Sequence, residues 1–302
     1  MKLEQNTVII EQFMVKEHTV KTKKAGGEFA QLKLRKQNFE IIAMDWNFKP
    51  ENILQSGQII EVRAEVGEYN GEPQLNLKAM TIIEDANMAD FMPSTYKDLK
   101  LLKIDLRDLI NRIEDRSLQT LVQTIWDRDG MLEHPAAKAV HQAYLHGLLE
   151  HSVHVTQIAY NTSLMYEDID TDILLAGALL HDIGKMYELE VLPSCEYTDA
   201  GQLLGHIYMG AEIIRTTLER RPDLKISKTK LNLLTHIILS HHGLLEYGSP
   251  VVPKTVEAQI VHQADMMDVK VTIIQQERRA HENSTQKYTK KNYFLGTQVR
   301  LG

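Results

Sequence analysis

The sequence predicts an α+β multidomain protein in which a small five-stranded β-barrel precedes a larger all-α domain. Five short β-prone runs, separated by turn signals, fill roughly the first 85 residues. Near residue 95 the spacing of apolar residues changes from a period of about two to about 3.6, the change from strand to helix. A chain of 302 residues is long enough for both parts. We place the barrel at residues 1–88, a linker at 89–98 and the helical domain at 99–302.

The β-prone runs mostly alternate apolar with polar residues, as half-buried strands do. Asn70-Gly71 separates the last two runs and predicts a tight hairpin, because both residue types tolerate positive φ. Five strands in about 80 residues suit a closed barrel, of which the OB-fold is the commonest five-stranded form. An SH3-like barrel is the alternative. The predicted strands cover residues 7–15, 28–36, 38–45, 58–66 and 74–83.

Positive charge is concentrated in one part of the barrel sequence. Residues 16–36 hold seven Lys or Arg side chains against two Glu, although the chain has a formal net charge of −7. Basic side chains around an aromatic ring are typical of surfaces that bind single-stranded nucleic acid, where the ring stacks on a base. A solvated hairpin with a core phenylalanine is the other interpretation. The candidate binding residues are Lys21, Lys23, Lys24, Phe29, Lys33 and Arg35.

The linker is polar and contains Pro93-Ser94, after which Thr95 to Asp98 predict a capping box for the first helix. From there the pattern is helical. Ser227 is expected to cap one helix, and Gly243 to follow the end of the same helix. After a first helix that begins at residue 99, helices are predicted over residues 117–127, 136–165, 171–182, 206–220, 227–242 and 254–280.

Cysteine content and hydropathy bear on the cellular compartment. Cys195 is the single cysteine, which excludes an internal disulfide and indicates a reducing environment. The longest wholly apolar run has eight residues, whereas a membrane-spanning helix needs roughly 20. The N-terminus has no signal-peptide layout. We therefore expect a soluble cytoplasmic protein with no membrane partner.

Histidine and aspartate residues recur at the ends and inner faces of the predicted helices. His181-Asp182 ends an apolar helix, where unpaired polar groups are costly unless a metal ion compensates them. Gly184 allows a sharp turn, and Lys185 then places a cation beside the carboxylate. Asp265 lies mid-helix among apolar residues, with no lysine or arginine three or four positions away. Each residue alone is more often structural; a metal site becomes the better interpretation when they are taken with His151, His206, His241 and His242.

The order of these residues along the chain resembles that of HD-domain metal-dependent phosphohydrolases in their two-metal form. The resemblance covers about residues 130–280 and is strongest at Gly147-Leu-Leu-Glu-His-Ser and His181-Asp-Ile-Gly-Lys185. With the barrel in front, the chain resembles the YhaM family of 3′→5′ exoribonucleases. Those proteins combine an OB-type nucleic-acid-binding domain with a catalytic HD domain.

The resemblance implies two metal sites and a catalytic pair. One ion would be held by His151, His181, Asp182 and Asp265, and the other by His206, His241 and His242, with Asp182 bridging the two. Mixed imidazole and carboxylate ligands suit divalent transition metals, with Mn²⁺ expected and Fe, Co, Ni or Zn as alternatives. Asp182 and Lys185 would be catalytic, the lysine offsetting phosphate charge or assisting the departing oxygen. Adjacent helical residues point about 100° apart, so His241 and His242 can share an ion only if the helix ends there.

The implied activity is metal-dependent 3′→5′ hydrolysis of single-stranded RNA, or of single-stranded DNA, to nucleoside 5′-monophosphates. The resemblance also favours a homo-oligomer. An alternative is a cyclic-dinucleotide phosphodiesterase of the HD-GYP type or another nucleotide phosphohydrolase, but the Gly-Tyr-Pro triplet is absent from residues 241–250. A single-strand-binding protein without catalysis is the third interpretation, and the complete set of ligand positions argues against it.

Overall fold

The computed structural model describes residues 3–24, 26–138, 142–191, 195–282 and 284–302. The chain forms two compact units, one of Met1–Ser94 with Val191–Glu196 and one of Thr95–Glu190 with Tyr197–Gly302. The division after Ser94 falls inside the predicted linker. The domain boundaries given above, with the barrel at 1–88, the linker at 89–98 and the helical domain at 99–302, stay a prediction. Within the described ranges, no helix combines the length and the apolar character needed to cross a membrane.

The first unit is a closed barrel of five strands. β1 pairs with both β2 and β4, and β3 pairs in parallel with β5, so the order around the barrel is β1-β2-β3-β5-β4. This is the strand order of the OB-fold, which confirms that prediction. The strands are β1 (Val8–Thr22), β2 (Glu28–Lys36), β3 (Phe39–Asp45), β4 (Ile59–Tyr69) and β5 (Glu72–Ile82).

Alternation along the strands fills the barrel interior with side chains such as Phe13, Leu32 and Ile60. Asn70 and Gly71 both have positive φ, 54° and 84°, and they join β4 to β5 in the predicted hairpin. β1 is longer than the predicted strand 7–15. It continues beyond a bulge after Val15, because its basic second half forms a ladder with β2.

The second unit is helical and has one large apolar core. α4 is buried from Ile173 to Leu180, as its nearly continuous apolar sequence predicts, and it packs against α3, α7 and α8. The helices are α1 (Leu99–Asn111), α2 (Arg116–Trp126), α3 (Gly147–Ser163), α4 (Thr171–Leu180), α5 (Lys185–Glu188), α6 (Asp199–Arg220), α7 (Lys228–Ser240) and α8 (Val256–Ala280). Two short strands, β6 (Leu189–Glu190) and β7 (Glu196–Tyr197), lie between α5 and α6.

The structure corrects several predicted helix ends. The predicted helix 136–165 starts only at Gly147, because the preceding residue, His146, has a left-handed backbone conformation. Gly147 also lies so close to Gln142 that a Cβ there would overlap the Gln142 carbonyl oxygen. Residues 139–141 of the predicted helix lie outside the described ranges. The predicted helix 206–220 begins at Asp199 and kinks at Gly205, whose φ is 71°. Asp98 caps α1 through the backbone amides of Lys100 and Leu101, in place of a Thr95 capping box.

Candidate functional site

The helical unit brings all seven predicted metal ligands to one place. They come from the ends or the inner faces of five helices. α3 carries His151, α8 carries Asp265, and α6 carries His206 just after its kink. The remaining four follow helix ends: His181 and Asp182 come after α4, and His241 and His242 come after α7. Such positions let the backbone turn so that neighbouring side chains face one point.

The first group consists of His151, His181 and Asp265, and all three are buried. One ligand atom from each lies within 4.8 Å of the others. The Nε2 atom of His151 lies 3.2 Å from Nε2 of His181 and 3.2 Å from Oδ1 of Asp265. It also lies 3.3 Å from Oδ2 of Asp182. These are the residues predicted to hold one ion.

The second group consists of His206, His241 and His242, again with ligand atoms within 4.8 Å of one another. α7 ends at Ser240, His241 is its C-cap and keeps right-handed helical angles, and Gly243 takes a φ of 81°, so the two adjacent histidines lie where the helix ends. Their rings meet edge to face at 4.4 Å. At this helix end both histidines bring a ligand atom close to that of His206, and the binding of one ion by both stays a prediction.

Asp182 lies between the two groups, and its two carboxylate oxygens face different ones. Oδ2 faces His151 and His181 at 3.3 and 3.5 Å, whereas Oδ1 faces Nε2 of His206 and His241 at 3.5 and 3.4 Å. Burial raises the pKa of Asp182, but Lys185 and the imidazoles outweigh this and hold it well below its usual range. The carboxylate is therefore charged and is placed to bridge two cations.

The histidine tautomers leave the Nε2 atoms free to bind a cation. Nδ1 faces the carbonyl oxygen of Ala178 in His181, of Ile238 in His241 and of Tyr247 in His242, each at 2.8 Å. Because a carbonyl oxygen only accepts, each Nδ1 carries the proton and each Nε2 keeps its lone pair. Burial lowers the pKa of His181 to about 4, so this ring is neutral at pH 7.

Unpartnered atoms show that the cluster fits metal ions. Oδ1 of Asp182 and the Nε2 atoms of His206 and His241 are buried without a hydrogen-bond partner among the described residues. Leaving such groups unpaired is costly, and cations bound between them would compensate all three at once. The donor set of imidazole nitrogen and carboxylate oxygen suits divalent transition metals.

Lys185, the predicted catalytic lysine, lies at the start of α5 beside the cluster. Its Nζ atom is 2.6 Å from Oδ2 of Asp182, and its side chain is 12% exposed. Burial lowers the pKa of Lys185, but the Asp182 carboxylate outweighs this and raises it above the usual value. The lysine is therefore a fixed positive charge at the edge of the candidate metal centre.

Two supporting carboxylates were not among the predicted site residues. Asp268, one turn beyond Asp265 on α8, accepts from Nδ1 of His151 at 2.8 Å and contacts Nδ1 of His154 at 3.1 Å. Glu188 accepts from Nδ1 of His206 at 2.9 Å. Each carboxylate fixes the ring orientation of one ligand, one in each group. The spacing of Asp265 and Asp268, three residues apart on one helix face, is the sequence signal that could have indicated the first.

We expect Asp268→Asn to weaken the binding of Mn²⁺ to the first group by about 10- to 100-fold, because the amide does not orient and polarise His151 as a carboxylate does. Isothermal titration calorimetry of the metal-free protein measures this directly. Asp108→Asn, an exposed position on α1, is the matched control. Equal affinity in the two variants would show that Asp268 does not support the ligand.

The predicted nucleic-acid residues lie on the barrel, where several already have partners. Glu40 pairs with Lys33 at 3.2 Å and with Arg35 and Lys16, and Lys21 donates to Gln31. Lys23 donates to the carbonyl oxygen of Trp46 at 2.7 Å, and Lys24 is exposed. Phe29 stacks on Trp46 at 4.9 Å, and the indole is 44% exposed. Trp46, which the sequence pattern did not single out, is therefore the more accessible ring of this pair.

We expect the barrel to lose stability in acid through Glu40. Burial raises the pKa of Glu40, but Lys16 and Arg35 outweigh this and lower it to about 2. A depressed pKa stabilises the folded state above the unfolded-state value, and this contribution is lost as pH falls from about 4.5 through about 2. At pH 7, Glu40→Gln should lower the free energy of unfolding by about 1–2 kcal/mol after allowance for solvent screening. Urea unfolding of the wild type and the variant at pH 7 and near pH 2 measures this difference in the free energy of unfolding.

The acid effect of Glu40 has a matched control in the same barrel. Glu51→Gln, at an exposed position between β3 and β4, should leave unfolding unchanged at both pH values. A stability deficit for Glu40→Gln that is as large near pH 2 as at pH 7 would contradict the electrostatic explanation.

Comparison with known proteins defines first the class and then the family. The HD-domain family model matches residues 148–269, which contain all seven clustered residues. The helical unit thus contains an HD domain. The chain is 32% identical to the 3′-5′ exoribonuclease YhaM of Oceanobacillus iheyensis over 268 residues, covering 86% of this chain and 84% of that protein. The chain belongs to the YhaM family of 3′-5′ exoribonucleases.

Further relatives align over nearly the whole chain. The YhaM protein of Bacillus velezensis is 30% identical and covers 94% of this chain and 91% of its own length. That of Listeria welshimeri is 29% identical, with 88% and 86% covered. Among solved structures, the second OB-fold domain of replication protein A from Methanococcus maripaludis matches 28% of this chain and 92% of its own, at 20% identity and a TM-score of 0.24. The assignment of the barrel rests on its own strand order.

Proposed function

We propose that this protein is a metal-dependent 3′→5′ exoribonuclease that hydrolyses the terminal phosphodiester of single-stranded RNA and releases nucleoside 5′-monophosphates. The observation that carries the proposal is the division of the two Asp182 oxygens between two groups of imidazole and carboxylate ligands. Membership of the YhaM family supports the 3′→5′ direction of degradation and RNA as the substrate.

The chain's own residues supply distinct parts of the reaction. His151, His181, Asp182 and Asp265 would hold one divalent ion, and the second group with Asp182 would hold the other; Mn²⁺ is the ion we propose, because the ligands mix nitrogen and oxygen. When bound, the two ions supply Lewis acidity that activates water and stabilises phosphate charge. Lys185 adds a fixed positive charge close to Asp182, where negative charge develops on the phosphate.

The barrel is the proposed surface for the single strand. Trp46 offers an exposed ring for base stacking, Lys23 donates to its carbonyl oxygen at 2.7 Å, and the adjacent Lys24 is exposed. Because every base has a stacking face, single-stranded DNA is a second substrate to be expected. We place the reaction in the cytoplasm, where the single cysteine, Cys195, would remain reduced.

The test is degradation of a 5′-labelled single-stranded RNA in Mn²⁺, with products resolved at single-nucleotide length. A ladder that shortens from the 3′ end, together with nucleoside 5′-monophosphates and complete inhibition by EDTA, is the expected result. Intact RNA, internal cleavage, or early release of the labelled 5′ nucleotide would each overturn the proposal. Cyclic dinucleotides and nucleoside triphosphates are included as alternative substrates.

Lys185→Met should lower kcat on this RNA by about 10²-fold while leaving the bound metal in place. The methionine keeps the length of the side chain but removes the charge that stabilises the phosphate, and one such electrostatic contact contributes about 10²–10³-fold. Metal content by mass spectrometry and single-turnover kinetics separate the two effects. Loss of metal in parallel with loss of rate would instead assign Lys185 a structural role.

A further inference from the structure

The chain ends in a β-hairpin formed by residues 287–301, here named the C-terminal hairpin. Thr289 and Val299 face each other across it and are buried, and the Thr289 amide donates to the Val299 carbonyl oxygen at 2.9 Å. Nδ2 of Asn292 donates to Oε1 of Glu277 on α8 at 2.7 Å, which fixes the hairpin to the helical unit. The hairpin is therefore an anchored element with a defined tip.

The tip displays two adjacent aromatic rings to solvent. Tyr293 is 89% exposed and Phe294 is 59% exposed, and their rings pack edge to face at 5.5 Å. Oδ1 of Asn292 accepts from the backbone amides of Phe294 and Leu295, so the turn that carries the rings is held in place. Exposed apolar rings forgo the free energy of burial, and a fixed pair of them indicates a surface that is covered by a ligand.

The hairpin is also positively charged without internal compensation. Residues 284–302 contain four cations, Lys287, Lys290, Lys291 and Arg300, and no Asp or Glu. All four are exposed, and within the described part of the chain none of them forms an ion pair. The barrel differs, because Glu40 pairs with Lys16, Lys33 and Arg35 there. In a chain of net charge −7, this is a local surface suited to a polyanion.

We propose that the C-terminal hairpin is a second contact surface for single-stranded RNA, in which Tyr293 and Phe294 stack on bases and the flanking cations contact phosphates. Unpaired cations beside exposed rings are the combination that binds single strands without sequence preference. The inference rests on the proposed function only in taking the bound strand to be the substrate.

Charge argues against a second copy of the chain as the occupant of this surface. A symmetric contact between two hairpins would bring four cations of one copy against four of the other. Juxtaposed like charges oppose such an interface. A phosphate backbone has the opposite charge, and its bases supply the flat faces that the two rings require.

The test measures the binding of a 5′-fluorescein-labelled single-stranded RNA of about 20 nucleotides. Fluorescence anisotropy is recorded in EDTA so that no cleavage occurs. Y293A/F294A should raise Kd by about tenfold or more, because stacking on an aromatic ring contributes strongly to single-strand affinity. Tyr166→Ala, an exposed tyrosine in the acidic segment after α3, is the matched control and should leave Kd unchanged.

A second variant tests the charges independently of the rings. K290Q/K291Q should reduce the slope of log Kd against log salt concentration by about 1.4, or about 0.7 for each phosphate that is no longer neutralised. Lys228→Gln, exposed at the start of α7, should leave the slope unchanged. Both hairpin variants are checked by circular dichroism and thermal unfolding.

The outcomes separate this inference from the proposed function. Unchanged Kd and unchanged salt slope in folded hairpin variants overturn the inference, even if the wild-type protein degrades RNA. If light scattering shows that Y293A/F294A dissociates an oligomer while RNA affinity is retained, the hairpin is an interface between copies and the inference is again overturned. Reduced affinity in the variants, combined with a wild-type protein that never shortens RNA, supports the hairpin and contradicts only the exoribonuclease.

Discussion

Asp182→Asn is expected to reduce RNA degradation by at least about 10³-fold, the largest loss that we predict for any single substitution. The amide has nearly the same shape as the carboxylate but no charge, so it does not bridge two cations. Metal content should fall from two ions per chain to one or fewer, since both groups depend on this residue. Single-turnover degradation and mass spectrometry of the purified protein measure rate and content together.

The matched control for Asp182 is Asp108→Asn at an exposed position on α1. It makes the same chemical change far from the ligand cluster in sequence and should retain full rate and metal content. Undiminished degradation by Asp182→Asn would contradict the bridging role and with it the two-ion mechanism. Loss of rate with two ions retained would move Asp182 from metal binding to another catalytic task.

Gly184→Ala should cause the largest loss of stability. A Cβ at this position would overlap the carbonyl oxygen of His206 and lie 2.6 Å from the backbone nitrogen of Gly210, so α5 and α6 must move apart. Overpacking against backbone costs about 1–3 kcal/mol or more, and we expect a fall in Tm of about 6–10 °C. The shift moves His206, so the metal affinity of the second group should fall as well.

Gly210→Ala is the control for this close approach. Its Cβ would lie 3.3 Å from Cγ2 of Ile238 and 3.5 Å from the backbone nitrogen of Gly184, which is tight but not an overlap, and alanine favours a helix over glycine by about 1 kcal/mol. Its Tm should stay within a few degrees of the wild type. Equal Tm values for the two variants would show that α5 and α6 can separate without cost.

Periodicity and turn chemistry made the architecture predictable. The Asn70-Gly71 hairpin, the alternating strands and the buried helix α4 all follow from local sequence. The resemblance of the order of histidines and aspartates to that of HD-domain phosphohydrolases implied which residues lie together, and the structure brings them together. The start of α3 at Gly147 was missed because the left-handed backbone of His146 and the close approach of Gly147 to Gln142 have no local sequence signal.

The sequence alone did not predict side-chain contacts that depend on how strands and helices are aligned with one another. Glu40 neutralises basic residues on neighbouring strands, and this pairing appears only once β2 and β3 are aligned. Trp46 stands one position beyond β3, opposite Phe29, for the same reason. Asp268 resembles any acidic helix residue until the imidazole of His151 is placed against it.

If each group binds a cation, the shared carboxylate of Asp182 would link the two binding events thermodynamically. A cation at Oδ2 would draw negative charge away from Oδ1 and so change the affinity of the other group for its cation. A cation at Oδ1 would change the affinity of the first group by the same free energy. The two ions would therefore not bind with independent binding constants. A titration would report cooperativity, positive where the first ion orders the carboxylate and negative where repulsion between cations prevails.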